Sequence, residues 1–347
     1  MMSNDTHDRY CRQKQFAPIG DEGQQRLQDA DVAVLGCGAL GTVAAELLCR
    51  AGIGRIRIID RDIVEWSNLQ RQSLFDGHDA ETGASKAEAA ASRLREINNL
   101  IDVDAQAADV RADNIHGLLN DTHLVIDATD NFQVRFLLND WALSTGTAWV
   151  HGGCVGAAGQ VRLFDGAARP CFRCLVTSPP PPDAVDTCDT AGVLGSATHA
   201  IASLQVTEAI KWLSGNRDAV SQDVLAIDFW HNRTRRIRLT EDLSPDCVAC
   251  VGRKFEFLDG DQQRQTELAL CGRDAVQITP AETRQVDLAT MEERWKQIGT
   301  TQRSRFFVRV QIDSETQLTL FRDGRVIVNG TSELPRARSL VDRYVGG

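Results

Sequence analysis

The stretch from Val32 to Gly41 decides the fold of this chain. It reads VAVLGCGALG, an apolar run followed by glycines at positions 36, 38 and 41. The apolar run predicts a buried strand, and the apolar periodicity from Val43 to Leu48 predicts a helix directly after the glycines. A glycine turn of this kind lets backbone N–H groups approach a phosphate at the helix N-terminus. We therefore predict that a nucleotide is bound at Gly36, Gly38, Ala39 and Gly41.

The same alternation of strand and helix continues for about 100 residues. A strand over Ile56–Ile59 ends at Asp60, a helix is predicted for Lys86–Ile97, and the strand Leu124–Asp127 precedes a helix over Phe132–Leu143. This order predicts an α/β fold with a Rossmann-like, doubly wound, mostly parallel sheet. Asp60, 19 residues after Gly41, stands where an acidic side chain accepts the ribose hydroxyls. These features alone fit a nicotinamide dehydrogenase and a mononucleotide-binding enzyme equally well.

The pattern divides the chain into three parts, which are a polar helical N-terminal arm (1–28), a nucleotide-binding domain (29–250) and a small C-terminal α+β module (251–347). Within the second part we predict strands at Ala148–Val155 and Gln160–Phe164, a helix over Val193–Leu213 and a hairpin over 224–239. Pro179–Pro182 is predicted to be extended. In the module we predict helices near 288–298 and 333–344, strands at 306–312, 318–321 and 326–328, and a turn at Asp323-Gly324.

Composition narrows the class of protein further. The formal charge is −10, from 48 acidic and 38 basic residues, which argues against binding along nucleic acid. The N-terminus lacks an apolar signal core, and no apolar run is long enough to span a membrane. These features predict a cytoplasmic protein with no membrane and no nucleic-acid partner. In a reducing compartment, the 10 cysteines indicate metal ligation or thiol chemistry rather than disulfides.

Two cysteine pairs have the spacing of metal ligands. They are Cys171 with Cys174, and Cys247 with Cys250, separated by 72 residues. Two such turns supply four thiolates to one ion, which predicts a closed, structural zinc site that ties distant parts of the chain together. A redox pair or four packing cysteines is the alternative. The cysteines without ligand spacing are interpreted as packing residues: Cys11, Cys37, Cys49, Cys154 and Cys271.

Three further motifs resemble those of the MoeB/ThiF family, the bacterial relatives of ubiquitin-activating enzymes. They are Ser67-Asn68-Leu69-Gln70-Arg71-Gln72, Lys86, and Asp127-Ala128-Thr129-Asp130-Asn131. Further matches are RYCRQ at 9–13, PCFRC at 170–174 and TCDTAGVLG at 187–195. The resemblance spans residues 8 to 250. It departs from the MoeB branch between Asp76 and Ser85, where the loop is longer.

The resemblance implies ATP-dependent adenylation of the C-terminal glycine carboxylate of a ubiquitin-like sulfur-carrier protein ending in Gly-Gly, with release of pyrophosphate. The carrier would be MoaD-like or ThiS-like and would serve molybdenum cofactor or thiamine biosynthesis, while a tRNA-thiolation carrier remains open. In the family, the groups equivalent to Arg71 and Lys86 contact phosphates and that of Asp130 holds Mg²⁺. By the same resemblance, Asp60 binds ribose, and the nucleotide pocket includes Asp62, Ser67, Asn68, Leu69, Gln70 and Asn131.

The chemistry fits these residue types. Negative charge grows on the phosphate oxygens and on the departing pyrophosphate, so fixed cations and a divalent metal lower the barrier. The resemblance further implies that Arg12 reaches the ATP of a neighbouring subunit, which predicts a homodimer. A cysteine desulfurase or a rhodanese is the expected sulfur donor.

Cys188 matches a family cysteine on a mobile crossover loop that takes up the activated carrier as a thioester or persulfide. A thiolate is a strong nucleophile toward an acyl-adenylate. However, the flanking Asp186 and Asp189 would raise the pKa of the Cys188 thiol. A covalent role and a non-covalent one both remain open for Cys188.

Two hypotheses from other functional classes compete with adenylation. One is a Rossmann-type oxidoreductase, and the other is a non-catalytic scaffold for a ubiquitin-like partner. The C-terminal module is interpreted as serving dimerisation or carrier docking, or as a stabilising appendage. Its end, Val345-Gly346-Gly347, also resembles the tail of a sulfur carrier.

Overall fold

The computed structural model describes residues 8–167, 169–180, 191–260, 267–269, 274–280 and 285–346. The chain forms two compact units, Met1–Gln262 and Gln263–Gly347. Each unit has its own sheet and its own core.

The first unit contains the following elements in chain order: α1 Cys11–Lys14, α2 Gly20–Gln28, β1 Asp31–Leu35, α3 Gly41–Ala51, β2 Arg55–Ile59, α4 Gly77–Thr82, α5 Lys86–Ile97, β3 Asp102–Gln106, α6 Ile115–Leu119, β4 Leu124–Asp127, α7 Phe132–Thr145, β5 Ala148–Val155, β6 Ala158–Phe164, α8 Phe172–Leu175, α9 Gly195–Leu213, β7 Asp223–Asp228 and β8 Arg233–Arg238. Short 3₁₀ turns lie at Trp66–Asn68, Arg217–Ala219 and Glu241–Leu243.

These strands form one eight-stranded sheet in the order β3-β2-β1-β4-β5-β6-β7-β8. The five strands from β3 to β5 are parallel, and β6, β7 and β8 continue the sheet in antiparallel fashion. β1 pairs with β2 on one side and with β4 on the other, so the direction of winding reverses there. The predicted fold class is confirmed. In such sheets ligands bind beyond the carboxyl ends of the strands at the reversal point.

β1 shows why both faces of the sheet are covered. All five of its residues are buried. Val32 and Val34 belong to a core that includes α3, α5 and α9, whereas Ala33 and Leu35 belong to a second core that includes α6 and α7. Because successive side chains of a strand point to opposite faces, a continuous apolar run requires apolar partners on both sides. Helices on both faces satisfy this requirement.

The N-terminal arm docks on the C-terminal ends of α3 and α5. Tyr10 is buried, and its hydroxyl accepts a hydrogen bond of 2.8 Å from Asn98 Nδ2. Gln13 Nε2 donates to the carbonyl of Ala51 at 2.9 Å. Gly52 ends α3 with φ +81°, and a Cβ on it would lie 2.5 Å from the Tyr10 ring. Glycine is therefore required there both for the left-handed cap and for the seat of the arm.

The outermost strand, β3, is absent from the sequence expectations. Only two of its five residues, Val103 and Ala105, are buried. Its register is supported by ion pairs, because Arg55 lies 3.3 Å from Asp102 and 3.6 Å from Asp104. An edge strand with so few apolar residues lacks the pattern by which strands are recognised.

The second unit contains β9 Glu267–Ala269, β10 Ala275–Ile278, α10 Leu288–Trp295, β11 Thr300–Arg303, β12 Phe307–Gln311, β13 Gln317–Phe321, β14 Val326–Asn329 and α11 Leu334–Tyr344. Its sheet has the order β11-β12-β13-β14-β10-β9, and every pairing is antiparallel. Trp295, Val308, Leu320 and Ala337 contribute to its core. The predicted α+β character of this module is confirmed.

The end of the chain is held against α10. Trp295 Nε1 donates to the carbonyl of Tyr344 at 2.9 Å, and Arg294 Nη1 donates to that of Val345 at 3.3 Å. Gly346 N–H bonds to the carbonyl of Val341 at 3.2 Å, so these residues complete the last helix. A carrier tail has to be free and extended, which Val345 and Gly346 are not.

No helix in the described ranges is long and apolar enough to cross a membrane.

Candidate functional site

The glycine turn between β1 and α3 contains glycines with two different roles. A Cβ on Gly36, which has φ +84°, would lie 2.8 Å from the carbonyl oxygen of Ala128, and a Cβ on Gly41 would lie 1.9 Å from that of Gly36. These two glycines are required for backbone packing. A Cβ on Gly38 would meet no described atom closer than 3.9 Å. Gly38 instead leaves open space over the start of α3, as a phosphate-binding backbone requires.

Asp60 connects this turn to the end of β2. Its Oδ2 accepts a hydrogen bond of 2.6 Å from Cys37 N–H, and its Oδ1 accepts one of 2.7 Å from Asp62 N–H. Burial raises the pKa of Asp60, while the neighbouring Lys86 acts to lower it. Each carboxylate oxygen has a second lone pair. Asp60 can therefore shape the turn and still accept ribose hydroxyls.

Lys86 brings a cation to the same place. It is the first residue of α5, its side chain is nearly buried, and its Nζ lies 3.3 Å from Asp62 Oδ2. The backbone N–H of Lys86 also donates to the carbonyl of Asp62 at 3.0 Å. The ammonium group is thus held beside Asp60 and Asp62, at the carboxyl end of β2.

The Ser67–Gln72 motif forms a compact turn. Asn68 is buried, and its Oδ1 accepts a hydrogen bond of 3.0 Å from Glu65 N–H. Arg71 is partly exposed, and its Nη1 donates to the carbonyl of Ser67 at 2.8 Å. Ser67 and Gln70 are exposed, and Leu69 is partly buried. Asn68 therefore organises the turn, and the Arg71 guanidinium retains further N–H donors for a ligand.

Gln72 was missing from the predicted site. It is 4% exposed, its Oε1 has no hydrogen-bond partner among the described residues, and its Nε2 lies 3.9 Å from the position of a Cβ on Gly38. The amide nitrogen therefore faces the open space over the glycine turn. The available signal was its position directly after Arg71 within the motif.

Asp130 lies on the turn after β4. It is exposed, and Asn131 caps α7 by accepting a hydrogen bond of 2.8 Å from Gln133 N–H. Burial acts to lower the pKa of Arg61, but the carboxylates of Asp109, Asp62 and Asp130 outweigh it and raise this pKa. Asp130 thus lies close to residues at the end of β2. Carboxylate oxygens are the ligands that Mg²⁺ prefers.

The fold therefore collects most of the predicted nucleotide residues at one edge of the sheet, where β1, β2 and β4 end. Arg12 is not among them. It is exposed, and it belongs to the arm that docks on the far ends of α3 and α5. α3 has 11 residues and is about 16 Å long at 1.5 Å per residue. Arg12 thus lies at the opposite edge from the glycine turn. Cys188 lies outside the described residues.

A carrier tail is extended and nearly free of side chains, so the sequence predicts a groove for it, walled by Gly152-Gly153 and Pro179–Pro182. A Cβ on Gly152 would lie 2.2 Å from the Gln205 side chain, which donates to the carbonyls of Asp127 at 2.8 Å and of Val150 at 3.2 Å. Gly152 is therefore explained by packing against α9. A groove lined by these residues stays a prediction.

The four paired cysteines form one cluster. Their sulfur atoms lie within 4.8 Å of one another, with separations of 3.9 Å for Cys171–Cys174, 3.8 Å for Cys171–Cys247 and 3.5 Å for Cys174–Cys250. A tetrahedral zinc ion with Zn–S bonds of about 2.3 Å requires sulfur separations of about 3.8 Å. The cluster can therefore hold zinc with all four ligand positions filled.

The thiols of this cluster strongly affect one another. The pKa of Cys171 is raised, mainly by its hydrogen bond to Cys174 and secondly by burial. The same hydrogen bond lowers the pKa of Cys174 to about 5. Burial raises the pKa of Cys250 to about 11. A bound cation would offset the repulsion between thiolates, which is the usual condition for four of them to coexist.

Known proteins resemble this chain in sequence and in structure. A family model described as "ThiF family" matches residues 10–249. The chain is 39% identical over 339 residues, 97% of its length and 99% of the relative's, to a sulfur carrier protein ThiS adenylyltransferase of Bacillus subtilis. It is 37% identical over 249 residues to the adenylyltransferase and sulfurtransferase MOCS3 of Anopheles gambiae, which covers 72% of this chain and 56% of that protein.

Among solved structures, MccB of E. coli with ATP superimposes with a TM-score of 0.61 at 21% identity, over 72% of this chain and 76% of that chain. At this level of identity the match supports the fold.

The two kinds of glycine should respond differently to alanine. For Gly38→Ala we expect a loss of less than about 1 kcal/mol in unfolding free energy, because the added methyl meets open space. ATP binding should weaken at least about tenfold, because the methyl blocks charge-assisted hydrogen bonds from the backbone. Gly41→Ala, the matched variant, should lose about 3 kcal/mol or more through its clash with Gly36. Urea denaturation and calorimetric ATP titration measure both effects, and equal ATP affinity for Gly38→Ala would contradict the assignment.

The cysteine cluster should bind metal as a unit. We expect Cys250→Ser to lose its tightly bound metal and to melt several degrees lower, at about 3 °C per kcal/mol of lost stabilisation. Cys11→Ser is the control, because Cys11 is exposed and outside the cluster. Elemental analysis after dialysis, together with thermal melts, measures the outcome. Retention of full metal content by Cys250→Ser would show that the metal binds elsewhere.

Proposed function

The chain belongs to the ThiF family, and on this premise we propose that it is an ATP-dependent adenylyltransferase that activates the C-terminal carboxylate of a small ubiquitin-like sulfur-carrier protein. The observation that carries this proposal is the match to the ThiS adenylyltransferase of Bacillus subtilis, which extends over 97% of this chain. That match includes the second unit, which lies beyond the family model at 10–249. We therefore propose a ThiS-like carrier, and thiamine biosynthesis as the pathway it serves.

In this reaction the glycine turn receives the phosphates. Backbone N–H groups at the start of α3 would donate to phosphate oxygens over Gly38, with Gln72 Nε2 beside them. Lys86 and Arg71 would add fixed positive charge, which stabilises the charge that grows on the phosphate oxygens. Asp60 would orient the ribose by accepting its hydroxyls. Asp62, Ser67, Asn68, Leu69 and Gln70 complete the proposed nucleotide pocket.

Asp130 is the residue that would hold Mg²⁺. It is an exposed carboxylate at the edge of the sheet where the phosphate-binding turn lies. This position suits a hard cation, which would bind both the carboxylate and the phosphate oxygens. When bound, this ion would neutralise charge on the phosphates. The Oδ1 of Asn131 caps α7, and its Nδ2 can donate to the nucleotide.

The attacking group needs no base. A terminal carboxylate has a pKa of about 3.5 and is ionised near neutral pH. One of its oxygens forms a bond to the α-phosphorus of ATP while the bond to the bridging oxygen of pyrophosphate breaks. The products are carrier adenylate and pyrophosphate. Cys188, together with a cysteine desulfurase or rhodanese as sulfur donor, is proposed for the later sulfur transfer.

The position of Arg12 supports a homodimer, which we propose as the working form of the protein. Its attachment at the edge opposite the glycine turn supports a role in a second subunit, where its guanidinium would meet the ATP phosphates. A twofold arrangement gives each site one such residue.

The cysteine cluster is proposed to hold a structural zinc ion. The cytoplasm is the proposed location, because none of the eight described cysteines belongs to a disulfide, as is usual in a reducing compartment.

The reaction is tested by ATP–pyrophosphate exchange. We expect exchange when the purified chain is supplied with a small Gly-Gly-ending carrier from the same genome, and none without the carrier. Asp130→Ala should lower the exchange rate at least about 100-fold through loss of transition-state charge stabilisation. Asp313→Ala, in the second unit, is the matched control. A wild-type chain that exchanges with no carrier would refute the proposal.

The shared site is tested by complementation. Arg12→Ala and Lys86→Ala should each be inactive alone. Mixing the two under conditions that allow subunits to exchange should restore up to about one quarter of wild-type activity, because half of the dimers are mixed and each contains one intact site. Exchange rates and the mass from light scattering are the measurements. Full activity in a monomeric chain would exclude a shared site.

A further inference from the structure

Asp127 lies at the centre of a buried polar network at the end of β4. Its Oδ1 accepts hydrogen bonds from the Thr129 backbone N–H at 3.1 Å and hydroxyl at 2.7 Å, and its Oδ2 accepts one from His151 Nδ1 at 2.9 Å. Gln160 Nε2 lies 3.2 Å from His151 Nε2, so the proton of the ring belongs on Nδ1. Burial lowers the pKa of His151. The imidazole is therefore neutral at pH 7.

Arg135, on the first turn of α7, connects this network to a second strand. Its Nε lies 3.2 Å from Asp127 Oδ2, and its Nη2 donates to the carbonyl oxygens of Thr129 and, at 3.3 Å, of Gly152. The side chain is 10% exposed. One guanidinium group thus binds two carbonyls and a carboxylate at the ends of β4 and β5.

The Thr129 carbonyl belongs to the peptide that joins Thr129 to Asp130. Both sides of this turn are therefore held, the N–H and hydroxyl of Thr129 by Asp127 and its carbonyl by Arg135. The Asp130 carboxylate, in contrast, is exposed and has no hydrogen-bond partner within the described ranges. Asp127 and Arg135 therefore hold the backbone from which the Asp130 side chain extends.

We propose that Arg135 is a positioning residue for the adenylation reaction, because it holds the Thr129–Asp130 peptide at the place where Asp130 meets the metal of the bound nucleotide. This inference rests on the proposed function. It concerns a residue that touches neither substrate nor metal and acts through Asp130.

The geometry explains why lysine should not replace this arginine. A planar guanidinium presents donors in several fixed directions, whereas an ammonium group is a single point on a flexible chain. Arg135→Lys retains the charge opposite Asp127, so the buried carboxylate is not left unpaired. The variant therefore separates the position of the turn from the charge balance of the core.

The test compares two forms of the same ligand. ATP is titrated calorimetrically into the full chain, once with excess Mg²⁺ and once with EDTA. We expect Arg135→Lys to weaken binding of Mg²⁺–ATP about tenfold, as for one lost charge-assisted hydrogen bond. Binding of metal-free ATP should stay within about twofold, because the glycine turn and Lys86 are unaffected. Arg93→Lys is the matched control, since Arg93 is an exposed arginine on α5.

The outcomes separate clearly. Wild-type affinity of Arg135→Lys for Mg²⁺–ATP, or an equal loss for both ligand forms, would overturn the positioning role. If Arg135→Lys does not fold, Thr129→Val is used, which removes only the hydroxyl bond to Asp127. It should show a smaller loss confined to Mg²⁺–ATP, and no loss would likewise overturn the role. A wild-type chain that binds neither form of ATP would instead refute the proposed function.

Discussion

The nucleotide edge depends on how closely two backbone segments approach each other where β1 turns into α3. Gly36 and Gly41 make this approach possible, because a side chain on either residue would overlap a carbonyl oxygen. Asp60 completes the arrangement by accepting a hydrogen bond from the turn at Cys37. With these contacts in place, the N-terminus of α3 faces outward at the reversal point of the sheet. Lys86, at the start of α5, and Asp130, after β4, lie at this same edge.

Charge is distributed around this edge in pairs. Lys86 is held beside Asp60 and Asp62, Arg61 beside Asp109, and Arg135 beside Asp127. Paired charges can be buried at low cost only when hydrogen bonds complete their geometry. The strand ends provide these bonds through their backbone groups. A site built in this way is largely formed before ATP arrives, which limits the reorganisation that binding requires.

The cysteine cluster lies in the same unit, away from the nucleotide edge. It joins α8 to the segment that follows β8, two parts of the chain separated by 72 residues. Arg173, between these cysteines, contacts the rings of Phe136 and Phe257 and lies 3.1 Å from Glu256. The apolar core on this face of the sheet therefore continues into residues after Cys250. This explains why the first compact unit extends to Gln262.

Local signals in the sequence were enough to predict much of this fold. Apolar runs and helical periodicity identified β1, α3, α5, α7 and α9, and CxxC spacing identified the cysteine pairs. β3 was missed since its stability comes from a neighbouring strand and from Arg55 rather than from its own pattern. The three-dimensional structure was needed to show that Gly38 faces open space, while Gly36 and Gly41 pack against backbone atoms. It also showed that Gly152 leaves room for the Gln205 side chain. It alone placed Gln72 over the glycine turn, Arg12 at the opposite edge and Arg135 between two strands. These are relations between atoms far apart in the chain, and no local pattern of residues encodes the distance between them.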